Sequence, residues 1–224
     1  MSRGSIRIGR LAPIPIGVQP LWVVIVGLIT WSLGASYYPE QVSGIAPGLS
    51  YALGLLSALL LFASILLHEL GHAVVARRRG VEIEEIDLWV LGGVSRVKGY
   101  PKTAADELRF AIAGPAVSLV IAAAFGAIAL ALPQSSPAAL RAVVDYQVLI
   151  NCVILVFNLL PAFPLDGGRV ARTLIWARVG ELSRATATAA RIGRVFGFGL
   201  AASACSPRWT GPTVGSDSPW SASS

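Results

Sequence analysis

Four long apolar runs constrain this chain more than any other feature. Pro20–Tyr38, Tyr51–Ala76, Leu108–Leu132 and Ala142–Phe163 are nearly free of charge. Each is close to the ~20 residues that cross a bilayer core as a helix. Inside lipid the backbone must satisfy its own hydrogen bonds, so such runs read as helices. The expected fold class is mainly α: a polytopic membrane helix bundle with at least four transmembrane helices. Composition agrees, since only 13% of the 224 residues are charged and 54% are hydrophobic, against about 25% charged in soluble domains. A small membrane-associated β-sheet is expected beside the bundle. The stretch up to Pro20 alternates apolar and polar residues and is broken by Pro13 and Pro15, and Val81–Val97 alternates in the same way. Both patterns suit short strands. Gly92-Gly93 suggests a bulge or a close backbone approach.

The net charge of +6 does not mark a nucleic-acid partner. Most of the 18 Lys and Arg lie in residues 3–10, 77–109 and 169–194, and none lies in Tyr38–Ser50 or Leu132–Leu140. That is the asymmetry of the positive-inside rule. It puts the N-terminus, the Arg77–Arg109 segment and the chain after Phe163 on the cytoplasmic side, and it assigns an integral, multi-pass protein to a lipid bilayer. Met1–Ile16 has no apolar core before a cleavage site, so no secretory leader is expected. Cys152 and Cys205 make no disulfide framework, and Cys152 reads as a small core residue.

Residues 1–204 read as one membrane domain. Val170–Val179 carries Arg172 and Arg178 and suits a position along the interface, while Ile192–Ala204 is short for a span. The sequence then turns to Ser, Pro and Gly, a composition that cannot bury a core. Residues 205–224 are therefore expected to be a disordered or artefactual tail, standing where a final span was lost by frameshift or truncation. An apolar continuation in another reading frame of the gene would be its signature.

The chemistry concentrates in His68-Glu69-Leu70-Gly71-His72. The chain has only two histidines, and they lie four apart inside an apolar run. On a helix, i and i+4 share a face, so both imidazoles can ligate one ion while Glu69 enters the same site. Ionisable groups inside a membrane are costly and functional by default. Neutral imidazole suits Zn²⁺, and a catalytic site takes a third protein ligand and leaves one position for water. Glu69 is then placed to take a proton from that water and return one to a leaving amine.

Elimination leaves Asp166 as the third ligand. Carboxylates at 82–87 and 106–107 fall in the polar basic-side segment and read as a solvated face. Asp145 lies on the other side of the membrane, and Asp217 is in the tail. Asp166-Gly167-Gly168 alone is a turn signature, but it follows the fourth run at the depth of the histidines. Pro161 and Pro164 break the helix there, and irregular backbone at that depth is tolerated where it lines a cavity or packs in protein. Asn158 either donates to a substrate carbonyl or its oxyanion, or makes an ordinary interhelical hydrogen bond. Gly114-Pro115 reads as a packing site or kink.

The motifs "HELGH", "GPAVS" and "NLLPAFPLDGG", in that order on successive runs, resemble the site-2 protease family of intramembrane metalloproteases over roughly residues 5–195. The resemblance implies cleavage of transmembrane protein substrates within the bilayer. It implies one zinc ion on His68, His72 and Asp166, with Glu69 as acid/base and Asn158 assisting at the oxyanion. It also implies that the Val81–Val97 strands belong to a membrane-associated sheet, with Gly92-Gly93 near the substrate path. The chain departs from some members in having no room for a PDZ insertion between its third and fourth runs. Members of this compact kind usually have six spans, and four are evident here. A metal ion transporter and a catalytically silent scaffold that binds membrane proteins are the alternatives. The first would need polar groups along several spans, and the second would have no need of Glu69. A purely structural zinc site would want a fourth ligand, and no third histidine exists to supply it. Substrate identity and oligomeric state are not encoded in any motif.

Overall fold

The computed structural model describes residues 6–11, 14–80, 82–89, 92–98 and 103–205. It is mainly helical. Helix α1 (Leu21–Ser32) continues through a π-helical turn (Leu33–Tyr37) into the short α2 (Tyr38–Gln41). The long α3 (Pro47–Arg78) follows, then α4 (Ala104–Ala131), α5 (Ala138–Asn158), α6 (Asp166–Val179) and α7 (Leu182–Cys205). Among the described residues, four helical segments are long and apolar enough to cross a membrane: Leu21–Gln41, Pro47–Arg78, Ala104–Ala131 and Ala138–Asn158.

Local chemistry sets the helix boundaries. Pro47 opens α3 in the first turn, where its missing N–H costs nothing. Thr103 caps α4 by accepting from the Asp106 backbone N–H at 3.1 Å, and its hydroxyl donates to the Asp106 carboxylate at 2.8 Å. The fourth span ends at Asn158, short of the expected Phe163. Pro161 and Pro164 remove the donors a further turn would need. A left-handed residue, Gly180, terminates α6.

Polarity in the bundle is inverted relative to a soluble protein. Ser57, Ser118, Gln147 and Asn151 are 0% exposed, whereas Leu130 is 91% and Val120 66% exposed. Small and polar residues fill many of the helix contacts beside an apolar cluster of Leu33, Tyr38, Val143 and Tyr146, while other large apolar side chains face outward, as suits lipid. Cys152 belongs to the outer surface, not the core. It shares α5 with the buried Asn151, and consecutive positions on a helix face different ways.

α4 is the hub, packing against α3, α5 and α6, and α6 packs in turn on α7. In Val170–Val179, expected along the interface, Thr173 is buried against the bundle and Arg172 turns inward. α7 begins ten residues before the apolar run that marks it, at Leu182 rather than Ile192. Its polar first half, with Arg184, hid it from a hydropathy reading. The 205–224 tail, past Cys205, lies outside the described residues.

The backbone also pairs in four short segments: β1 (Ile6–Leu11), β2 (Ile14–Val18), β3 (Glu82–Trp89) and β4 (Gly92–Lys98), in that spatial order. β1–β2 and β3–β4 are antiparallel, and β2–β3 is parallel. Gly92 and Gly93 pair regularly with Trp89 and Leu88. Of the two expectations for Gly92-Gly93, a bulge or a close backbone approach, the bulge is not found there; the register of this pair shifts between Ile83 and Glu85.

Candidate metal centre

The two histidines project from one face of α3 at i and i+4, and both are buried. Asp166, also buried, is the first residue of α6 and meets them there. His68 Nε2 lies 3.1 Å from Asp166 Oδ2, His72 Nε2 lies 3.2 Å from the same oxygen, and the two Nε2 atoms are 3.3 Å apart. Zinc with ligands at 2.0–2.1 Å in a tetrahedron separates them by about 3.3 Å. The triangle therefore has the size of one face of a zinc coordination sphere. Among the described residues, these three form a group that could hold a metal ion.

The proton inventory argues the same way. His72 Nδ1 lies 2.7 Å from the Phe110 carbonyl, which can only accept, so Nδ1 carries the proton. A neutral His72 then presents a bare lone pair on Nε2. Burial alone would raise the Asp166 carboxyl, but when the imidazoles carry protons towards it their hydrogen bonds and charge outweigh burial and hold it at about 2. Asp166 is thus a carboxylate, and lone pairs converge on one point. Such convergence is stable only with a cation or a proton at its centre.

α4 supplies the support behind the ligands. His68 Nδ1 shares a hydrogen bond of 2.9 Å with Ser118 Oγ, and Phe110 holds His72 as described. Ligating imidazoles are oriented by such outer partners. Between these two anchors sits Gly114, where any Cβ would overlap the Nε2 atoms of both histidines. Gly167 and Gly168 let the start of α6 press against the backbone of Leu159, Leu160 and Ala162, which sets the depth of Asp166.

The other anticipated residues fall differently. Glu69 is half-buried beside His68 and interacts electrostatically with His72 and Arg169. Asn158, at the end of α5, donates from Nδ2 to the Ile154 carbonyl of its own helix at 3.0 Å and is not part of the triangle. Glu107 overturns the reading of residues 106–107 as a solvated face, because it is 2% exposed and ion-paired with Arg172. Asp106 does face outward, bridged to Arg79 and Arg109. The supporting roles of Gly114, Ser118 and the Phe110 carbonyl do not follow from the sequence motifs. A hydroxyl in an apolar run was a usable signal for Ser118, but a backbone carbonyl leaves none.

Residues 56–138 and 126–200 match peptidase family M50. Rip3 of Mycobacterium tuberculosis, named as a zinc metalloprotease, is 44% identical over 201 residues, covering 89% of this chain and 51% of that protein. A protein of Synechocystis with a zinc-metalloprotease name, sll0528, is 39% identical over 87% of this chain and 50% of its own length. The chain thus spans about half the length of these curated relatives. The solved site-2 protease from Methanocaldococcus jannaschii superposes with a TM-score of 0.54 at 31% identity, covering 89% of this chain and 86% of that one. With its four candidate spans and its buried histidine–aspartate triangle, the chain belongs to peptidase family M50, as an integral-membrane protein of the site-2 protease type.

Proposed function

We propose that this chain is an intramembrane zinc metalloprotease that hydrolyses peptide bonds within or near transmembrane segments of membrane-protein substrates. Residues 1–204 form its protease domain, and one Zn²⁺ sits on His68, His72 and Asp166. The observation that carries this reading is the triangle of 3.1, 3.2 and 3.3 Å between buried lone-pair atoms. The zinc-metalloprotease names of the M50 relatives support the same metal and reaction.

Zinc bound there supplies Lewis acidity and acidifies a water. The chain's own residues do the rest. Glu69 takes the proton from the attacking water and returns one to the leaving amine. Ser118 and the Phe110 carbonyl fix the imidazole rings so that the ligand lone pairs stay aimed. Asn158 spends one N–H on Ile154, and its second N–H is the donor for the developing oxyanion. The four-stranded sheet lies at the membrane surface and receives an unwound substrate segment by edge pairing. The N-terminus and the opening to the site face the cytoplasm of a prokaryotic cell, in keeping with the Lys and Arg distribution.

A transporter reading would want ionisable groups along several spans, and among the described residues the buried ones cluster at the ligand end of α3. A silent scaffold would not require Glu69. The test is metal analysis of purified protein together with cleavage of a generic transmembrane substrate. Wild type should carry one zinc per chain and cleave, and Glu69→Gln should keep the zinc and lose cleavage. Wild-type turnover by Glu69→Gln would refute the acid/base role, and a zinc-free, active wild type would refute the metal.

A further inference from the structure

Asp166 is useful as a ligand only if α6 is held in register with α3; the α5–α6 connection sets the depth of its first turn, and the register also depends on what α6 meets further along. A slip of one helical turn would move Asp166 by about 5.4 Å, far outside a metal bond of ~2 Å. Deeper in α6, two guanidinium groups grip α4. Arg172 is ion-paired with Glu107, and Arg169 lies over the Phe110 ring at 4.7 Å. Glu107 shares one stripe of α4 with Ala111, Gly114 and Ser118, all buried, at spacings of four, three and four residues. The stripe that cradles both imidazoles therefore ends in the carboxylate that anchors α6. Phe110 doubles the link, since its carbonyl fixes His72 and its ring receives Arg169.

We propose that Glu107 and Arg172 are positioning residues that set metal affinity by locking α6, and hence Asp166, onto the histidine face of α3 and α4. The proposal rests on the reading of His68, His72 and Asp166 as the metal site. A buried ion pair is weak evidence for stability, because desolvation cancels much of the attraction. Its best-attested use is to fix one arrangement among several. Among the described residues the buried Arg172 Nε has no hydrogen-bond partner, so the contact is not optimised for stability either. What the pair does define is which turn of α6 lies against which turn of α4.

The full-length protein in detergent provides the test, read by zinc competition against a chromophoric chelator and by thermal unfolding of the metal-free form. Glu107→Gln and Arg172→Met should each weaken zinc binding about 10- to 100-fold, the range for loss of groups that orient ligands. Each should also lower the unfolding temperature by leaving one charge buried and unpaired. The double variant Glu107→Gln/Arg172→Met separates position from stability. It removes both charges, so its unfolding temperature should return towards wild type while its zinc affinity stays reduced. A double variant that binds zinc as tightly as wild type overturns the proposal, and so do single variants that lose stability with unchanged zinc affinity. If a single variant fails to fold, the double variant still decides. His68→Ala is the control for the underlying reading. If it keeps wild-type zinc affinity, the metal site itself is wrong and the proposal falls with it. If it loses zinc while the double variant does not, the positioning role alone is wrong.

Discussion

Two polar clusters are buried in this bundle, about 16 Å apart along α3. Around Ser57 the side chains spread outward. Tyr38 and Ser57 share a hydrogen bond, Gln147 Nε2 donates to the Ser57 carbonyl at 3.2 Å, and Asn151 Nδ2 donates to the Gln147 carbonyl at 2.9 Å. Each donor finds a separate partner, and among the described residues the acceptors Gln147 Oε1 and Asn151 Oδ1 find none. Around His68 the side chains turn inward. Three atoms from two elements aim at one point, and the far side of each imidazole is tied back. Burial of polar groups in a membrane bundle is therefore not itself the mark of a reactive site. The first cluster joins helices, as interhelical hydrogen bonds do. The second pre-aims lone pairs, which is a different use of the same kind of residue.

Gly114→Ala should sharpen that contrast most. Its methyl would occupy the space of both Nε2 atoms, so zinc binding should fall to background in metal analysis. Far-UV circular dichroism should stay helical, since Ala favours helix over Gly by about 1 kcal/mol. Retention of one zinc per chain would show that the imidazoles can retreat and that the cradle is not rigid.

Ser118→Ala comes next. Removing the partner of His68 Nδ1 should cost 10- to 100-fold in zinc affinity, measured by chelator competition, as loss of an outer orienting group does. An unchanged affinity would mean that α3 alone orients His68.

Gly54→Ala carries the comparison to the other half of the bundle. A Cβ there would lie 2.7 Å from the Thr30 carbonyl of α1, so α1 and α3 must separate. Overpacking of this kind costs about 1–3 kcal/mol. The thermal midpoint should drop while zinc affinity in the folded protein is unchanged. Loss of zinc binding as well would show that the two halves are mechanically coupled.

These contrasts also mark how much was legible in the sequence. The spacing of His68 and His72 fixes their geometry on any helix, and Asp166 could be reached by elimination because carboxylates are few. The four spans are legible for the same reason that they are stable, since lipid permits little but helices. The burial of Glu107 is not legible in the sequence, because it depends on what packs against it. Its partner Arg172 lies 65 residues away on a helix whose polar side hid its inward face. α7 was shortened because hydropathy detects only the half of a helix that is uniformly apolar. Gly114 looked like packing because a glycine's sequence context does not say whether the neighbour it admits is a methyl or an imidazole.

The smallest effect should come from Asn151→Leu. Asn151 is fully buried, donates to its own helix and leaves Oδ1 unpartnered, so the wild-type side chain carries an uncompensated desolvation cost. Losing its hydrogen bond to the Gln147 carbonyl of the same helix should cost about 0.5–1.5 kcal/mol. Relief of the buried acceptor, worth about 1–3 kcal/mol where no partner exists, works in the opposite direction. The net change in unfolding free energy should be within about 1 kcal/mol of zero or stabilising, and proteolysis of a transmembrane substrate should be unaffected. A loss of cleavage with stability intact would place Asn151 in the reaction's path. It would also erase the distinction between a cluster that joins helices and a cluster that aims at an ion.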